Sequence, residues 1–468
     1  ETSLPSTLVF DHPTARALAS IFAHTAAINS APQRNRLGLE AVLQMVRQTA
    51  GGEIEADAPL MEAGVDSLGA VELRNQLQRV VGSETSLPST LVFDHPTARA
   101  LASIFAYATP PAVFKEKQLA SSSRGVDLAS LEASLPGGAR GLELTYRLVN
   151  TGRDAFSSSP ATRWESADII QTGVAHGAFM HDIELFDHTL FSVSPSEAST
   201  MDPQQRQLLE IGYSALHTAH LQRSILTESN TAVFVGVMST EFREALQTSN
   251  VYAMTGTGHC FVAGRLSYVF GLHGACEAID TACSASLVAC HHAYRASLSR
   301  DCDGALFSGV NMMFLPSTAA GYVAAGFASA SGKAFVFDAR ADGFSRGEGC
   351  IAGVFPAVTS DELRQTTGQQ IIGSAVRQDG RSASLTAPSG RAQQLLLNAV
   401  LADASTLPAQ IPLLESAANG SRLGDAIEVG AIASAILKLR GSSEAPLLIG
   451  SIKANIGYVY HSLPYCAY

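Results

Sequence analysis

The chain has 468 residues, 46% of them apolar and only 16% charged, with a net charge of −11. Against about 25% charged residues in an average domain, this supplies a large buried core plus at least one small domain. The acidic balance lacks any Lys/Arg-rich run, which argues against nucleic acid, and no apolar run approaches the roughly 18 residues of a membrane span. The seven cysteines are odd in number and show no CxxC pairing, so neither a disulfide framework nor a metal site is expected. A reducing, cytoplasmic setting fits best, and the N-terminus has no basic-then-apolar start of a signal peptide.

In chain order, residues 1–23, ETSLPSTLVFDHPTARALASIFA, recur letter for letter at 84–106. Fold constraints alone do not preserve such identity, so the repeat reads as tandem duplication of one small domain or as an assembly error. The first copy is then a C-terminal remnant, 1–23, and the complete copy is 35–106. Within the complete copy, Leu39, Val42, Leu43 and Val46 make the apolar stripe of one helix, and Leu73, Leu77, Val80 and Val81 that of another. Between them lies LMEAGVDSLGAVELRNQL, which places Ser67 at the start of the second helix beside Asp66, with Asp57, Glu62 and Glu72 near in sequence. Taken alone, such a serine is an N-cap on a solvated acidic face.

The run G-V-D-S-L followed by V-E-L-R, with LPSTLVFDHPTARALA downstream, resembles the acyl carrier domains of polyketide synthases. The resemblance implies a four-helix bundle in which a phosphopantetheinyl transferase attaches 4′-phosphopantetheine to Ser67. It also implies an acidic second helix that docks on basic patches of partner domains. A hydroxyl at an exposed helix start is reachable by a modifying enzyme, and a tethered thiol raises local substrate concentration to the order of millimolar.

The stretch YATPPAVFKEKQLASSS, within 107–124, has a Pro pair and a Ser run and reads as a linker. Residues 125–468 read as one large domain. Its opening VDLASLEAS is weak for a strand, whereas TAVFVGV (231–237) is apolar and β-branched and ends its strand in a glycine. In AIDTACSASLVAC (278–290), Ala278 to Thr281 reads as the end of a buried strand, and Leu287, His291, Tyr294 and Leu298 recur at helical spacing. Cys283 thus falls at a strand-to-helix turn, where unpaired N–H groups favour a thiolate. The plainer alternative is a structural cysteine.

The run DTACSASLVA, with MDPQQR (201–206), FDARADGFSRGEG (337–349) and IIGSAVRQDGRSASLTAPSG (371–390), resembles the β-ketoacyl synthases of modular type I polyketide and fatty-acid synthases. That resemblance implies a thiolase-like layered α/β fold, a homodimer through the segment 255–272, and Cys283 as the acyl-accepting nucleophile. The amides of Cys283 and Phe344 would form the oxyanion hole, each donor worth about 2.7–4 kcal/mol. Phe344 as plain core and Glu348 as a loop-bracing carboxylate are the simpler alternatives. Gly343, Gly347 and Gly349 mark a tight loop.

Two departures from the family follow. In Glu415-Ser416-Ala417-Ala418-Asn419-Gly420-Ser421-Arg422-Leu423-Gly424-Asp425, Ala417 stands where the family carries its first catalytic histidine, and in GSIKANIGY Tyr458 stands where it carries the second. Lys453 of that motif is retained, and Asn419 and Ser421 replace the threonines that contact the pantetheine arm. His461 is a distant substitute. Alanine donates nothing, and a phenol with a pKa near 10 is a poor base, so decarboxylative condensation with a malonyl thioester is expected to be impaired while acyl transfer survives. The alternatives are a fully condensing synthase and a non-catalytic carrier and docking scaffold. After Tyr458 the text VYHSLPYCAY lacks the family's continuation, so the domain reads as C-terminally truncated.

Overall fold

The alternation in Thr231–Gly236 sets the centre of the fold, because every residue of this strand is buried and successive side chains serve opposite layers. The computed structural model describes residues 37–106, 125–164, 176–356 and 367–459, apart from 62, 66, 83–86, 88–90, 162, 239–240, 247–249, 330 and 442–443. The first copy 1–23, the linker 107–124, His461 and Cys466 lie outside the described residues.

Residues 37–106 form the helical bundle: α1 (Leu39–Ala50), α2 (Ser67–Val81), α3 (Leu91–Asp94) and α4 (Ala98–Ala106). Val42, Leu43, Val46, Leu73 and Leu77 fill its core as the periodicity predicts. Val80, in the last turn of α2, departs from that stripe and is 38% exposed. Glu72 lies 3.9 Å from Arg79 on this helix, while Glu62 and Asp66 of the expected acidic surface lie outside the described residues.

The large domain is built on a six-stranded mixed sheet. In chain order its strands are β1 (Ser130–Leu135), β2 (Ala139–Arg140), β3 (Thr231–Gly236), β4 (Cys276–Ile279), β5 (Gly304–Asn311) and β7 (Gly349–Phe355). Their order across the sheet is β2-β1-β7-β5-β3-β4. Strand β3 runs parallel to β4 and β5, and β7 runs antiparallel to β5 and β1. Val233, Val235, Leu306 and Val310 face α5 (Pro203–Thr218) and α6 (Phe261–Phe270). Ala232, Phe234, Ala305 and Phe307 face α7 (Ala285–Ser299).

Polar text at the start of the domain still makes a strand because its buried hydroxyl is satisfied: Ser130 Oγ donates to the carbonyl of Ala215 at 2.7 Å. The strand before Cys283 is not buried as expected. β4 is the outer strand of the sheet, and Cys276 and Glu277 on it are exposed. On α7 only Tyr294 of the predicted stripe is buried; Leu287, His291 and Leu298 are half-buried, and the small residues Ala289, Cys290 and Ala293 take the sheet-facing side.

The second half of the domain supplies α8 (Gly390–Asp403), α9 (Arg422–Ala435), α10 (Lys453–Ile456) and the short strands β8 (Leu413–Glu415), β9 (Leu448–Gly450) and β10 (Tyr458–Val459). β8 and β9 pair in parallel, and β10 pairs in parallel with β6 (Arg346–Gly347). Among the described residues no helix is long and apolar enough to cross a membrane. Phe307 packs on Phe355 with ring centroids 5.1 Å apart in the layer beneath α7. Phe307→Ala is expected to destabilise this domain by about 3–5 kcal/mol, whereas Leu385→Ala, at a side chain 99% exposed, changes stability by less than about 0.5 kcal/mol; urea midpoints of the two variants check this.

Candidate active site

Cys283 follows β4 after a turn that only a close backbone approach permits. Gly236, at the end of β3, has no side chain, and a β-carbon there would lie 2.4 Å from the carbonyl carbon of Ala285 and the nitrogen of Ser286. The start of α7 therefore rests directly on the sheet. Ala282 takes a left-handed φ of 51°, a conformation that costs an L-residue about 1–2 kcal/mol. Two local hydrogen bonds hold it: Asp280 Oδ1 accepts from the Ala282 N–H at 2.9 Å, and Ser284 Oγ donates to the carbonyl of Thr281 at 3.0 Å. Ser284 is the N-cap residue of α7, so Cys283 sits one residue ahead of the cap, with its side chain exposed.

The second element of the site is a buried lysine. Lys453 opens α10, is 7% exposed, and places Nζ 5.6 Å from the centre of the Tyr458 ring. Burial pulls its pKa down to about 8, against the opposing pull of Glu415, Glu428, Cys283 and Asp425. Burial pushes Glu428 up to about 7, and it raises Glu415 and Asp425 as well.

The same carboxylates hold the loop that carries Ala417. Glu428 Oε1 accepts from the Ala417 N–H at 2.6 Å, and Glu415 Oε1 accepts from the Ile452 N–H at 2.7 Å. Asp425 accepts from the N–H groups of Asn419, Gly420 and Phe337 at 3.1–3.2 Å. The Gly343 N–H then donates to the carbonyl of Gly420 at 3.0 Å, tying this loop to the turn before Phe344. Lys453, Tyr458, Phe344 and the Ala417 loop are thus one assembly, while Ser67 opens α2 in the separate helical bundle.

Several side chains do work other than that expected of them. The Phe344 N–H donates to the carbonyl of Phe327 at 2.9 Å, so this amide is engaged within the protein rather than presented to a substrate. Its ring lies 5.4 Å from Tyr322 and 5.0 Å from Tyr458, matching the plainer alternative of a packed aromatic. Asn419 Oδ1 accepts from the Ser421 N–H at 3.2 Å, and Ser421 Oγ caps α9 by accepting from the Gly424 N–H at 3.2 Å. Gly343 has a φ of 133°, as the tight loop requires, and Gly347 lies too close to Ile456 for a β-carbon.

Glu348 braces the loop. Its carboxylate takes both arms of Arg163 at 2.8 and 2.9 Å, and it accepts the N–H groups of Met180 and Met313 at 2.8 and 3.1 Å.

The carboxylate cage around Lys453 was not anticipated. Its one signal in the text is the spacing of Asp425 and Glu428, three residues apart and therefore on one face of a helix. Because Glu428 has a folded pKa near 7 against an ordinary 4.5, the folded state holds a proton that the unfolded state has lost. Stability from this group is full below the unfolded value and declines as pH rises through 7. Glu428→Gln removes that decline while keeping an acceptor for the Ala417 N–H. The variant is expected to exceed the parent at pH 8 by on the order of 1–3 kcal/mol and to converge with it near pH 4; denaturant midpoints at the two pH values measure this.

Comparisons with known proteins agree with this architecture. Residues 40–105 match the family model described as a phosphopantetheine attachment site, 124–355 that of the β-ketoacyl synthase N-terminal domain, and 369–464 that of its C-terminal domain. The chain is 38% identical to polyketide synthase GfsB of Streptomyces halstedii, over 85% of this chain and 7% of that protein. It is 34% identical to pikromycin polyketide synthase component PikAII of Streptomyces venezuelae, over 98% of this chain and 13% of that one. The chain therefore spans a small part of these relatives. Among solved structures, the ketosynthase from module 6 of the bacillaene synthase of Bacillus subtilis 168 superposes with a TM-score of 0.66 at 31% identity, covering 71% of this chain and 58% of the other. With a phosphopantetheine-attachment bundle ahead of a thiolase-like layered body bearing Cys283 and Lys453, the chain belongs to the modular polyketide synthase family, as an acyl carrier domain followed by a β-ketoacyl synthase domain.

Proposed function

We propose that this chain carries acyl groups on its helical bundle and accepts them on Cys283, and that it is impaired in decarboxylative condensation. The observation that carries the reading is the assembly around Lys453: the cysteine, the lysine and the loop are in place, but alanine and tyrosine occupy the two histidine positions. Ser67 is the attachment residue for 4′-phosphopantetheine, added by a phosphopantetheinyl transferase. The start of α2 fits the group, since a fifteen-residue helix with no acid in its first turn offers positive potential to a phosphodiester. When bound, the group supplies a flexible thiol that holds an acyl chain as a thioester.

Cys283 then attacks the carbonyl carbon of that thioester through its sulfur. A new carbon–sulfur bond forms at Cys283 and the old one breaks, the released thiol taking up the proton that the cysteine gave. Lys453 supplies positive potential beside the sulfur. Phe344 serves as an oxyanion donor only if its amide leaves the Phe327 carbonyl, so the hole is less prepared here than the family pattern implies. Asn419 and Ser421 retain polar groups toward the pantetheine arm while holding their own loop.

Condensation asks for more. Charge developing on a malonyl thioester oxygen needs hydrogen-bond donors, and positioned acid–base groups contribute roughly 10²–10⁴-fold in rate. Ala417 offers only a methyl group. Tyr458 has its ring packed between Phe344 and Lys453.

A second copy of the chain completes the site in this reading. β4 is an open edge strand next to the exposed Cys283, and Tyr268 and Met254 nearby in sequence are 87% and 71% exposed. A homodimer laid along this edge covers all of them. Other polyketide synthase domains deliver and remove the acyl chain.

The test is intact-protein mass spectrometry after treatment with a phosphopantetheinyl transferase and an acyl-CoA. Acyl mass is expected on both Ser67 and Cys283, lost from Cys283 in Cys283→Ser and from Ser67 in Ser67→Ala; mass on Ser67 alone in the parent would instead mark a scaffold. The double variant Ala417→His/Tyr458→His is expected to raise β-keto product formation from a malonyl thioester by at least about 10²-fold, and no gain in a folded double variant would contradict the role assigned to these positions.

A further inference from the structure

The helical bundle and the ketosynthase body meet where α3 ends. Asp94 Oδ1 lies 2.8 Å from the place a β-carbon on Gly390 would occupy, and Gly390 opens the fourteen-residue α8. Any larger residue at 390 would push the carboxylate away. Ser389 caps α8 through the Ala392 N–H at 3.2 Å, and Asp379 accepts the Ser389 N–H, so the helix start is held in place within the ketosynthase. A carboxylate brought there from another domain meets the positive end of the helix.

Charges face each other across this boundary, Arg381 attracting Asp57 and Arg391 opposing protonation of His95. Burial, and then the charge of Arg391, depress His95 to about 4. Asp57 pairs with Arg99 at 2.8 Å within the bundle and also feels Arg381 across the boundary. A β-carbon at Gly390 would further lie 3.4 Å from Ile427 Cγ2 on α9, the helix that carries Asp425 and Glu428, so the contact backs onto the loop of the active site.

We propose that Asp94 and His95 of the carrier dock on Gly390, Arg391 and Arg381 of the ketosynthase in the same chain, making the α3 corner a docking face of the carrier. The contact itself stands independently of chemistry; its use in acyl delivery rests on the transfer function proposed above.

Two readouts test it on the full chain. Asp94→Cys/Gly390→Cys should form an intramolecular disulfide under mild oxidation, identified as a linked peptide by mass spectrometry. Two thiols that stay free overturn the docking, and a link between two chains overturns the same-chain arrangement. Separately, Asp94→Lys should slow acylation of Cys283 from the acylated carrier about tenfold, with a salt dependence weaker than the parent's, while acylation by a diffusible acyl thioester proceeds as in the parent. Equal carrier-borne rates in variant and parent overturn the delivery role. Should Cys283 accept acyl groups from neither donor, the transfer reading fails while the disulfide still decides the docking.

Discussion

A lysine held out of water among carboxylates is the constraint on which the active site depends. Lys453 cannot keep its charge in that position without Glu415, Glu428 and Asp425, and those groups cannot be buried without it and the backbone N–H groups they accept. Each carboxylate also fixes a piece of chain: Glu415 fixes Ile452, Glu428 fixes Ala417, and Asp425 fixes residues 419 and 420. The cage thereby holds the Ala417 loop in shape.

This separates architecture from chemistry. The strand-to-helix turn at Cys283 is intact, strained at Ala282 and supported by Gly236, which is the investment expected at a working nucleophile. Under the proposed function, Ala417 and Tyr458 leave a developing enolate without imidazole donors. An acyl-accepting site that does not elongate satisfies both observations. A bare scaffold leaves the strained turn and the buried ammonium without purpose, and a full synthase leaves the charge on the malonyl oxygen without donors.

Much of this was legible in the sequence, for local reasons. The helical stripes of the bundle, the buried strand at 231–236 and the position of Cys283 before a helix all follow from periodicity and small residues within a few positions. What escaped was non-local. Nothing near Ala278 says that its strand is the outer one of the sheet, so its burial was misjudged. The amide of Phe344 looked available because its partner, the Phe327 carbonyl, becomes a partner only once the turn geometry exists. The residues Glu415, Glu428 and Lys453 are far apart in the chain, and only the fold gathers them.

The central claim is that Cys283 accepts an acyl chain without going on to decarboxylate and condense. The most direct measurement is release of labelled carbon dioxide from a carboxyl-labelled malonyl carrier added to the chain already acylated on Cys283. The account predicts that the acyl group stays on the cysteine and that label release does not exceed that of the Cys283→Ser variant. Release well above that level, with an elongated β-keto product, would contradict it.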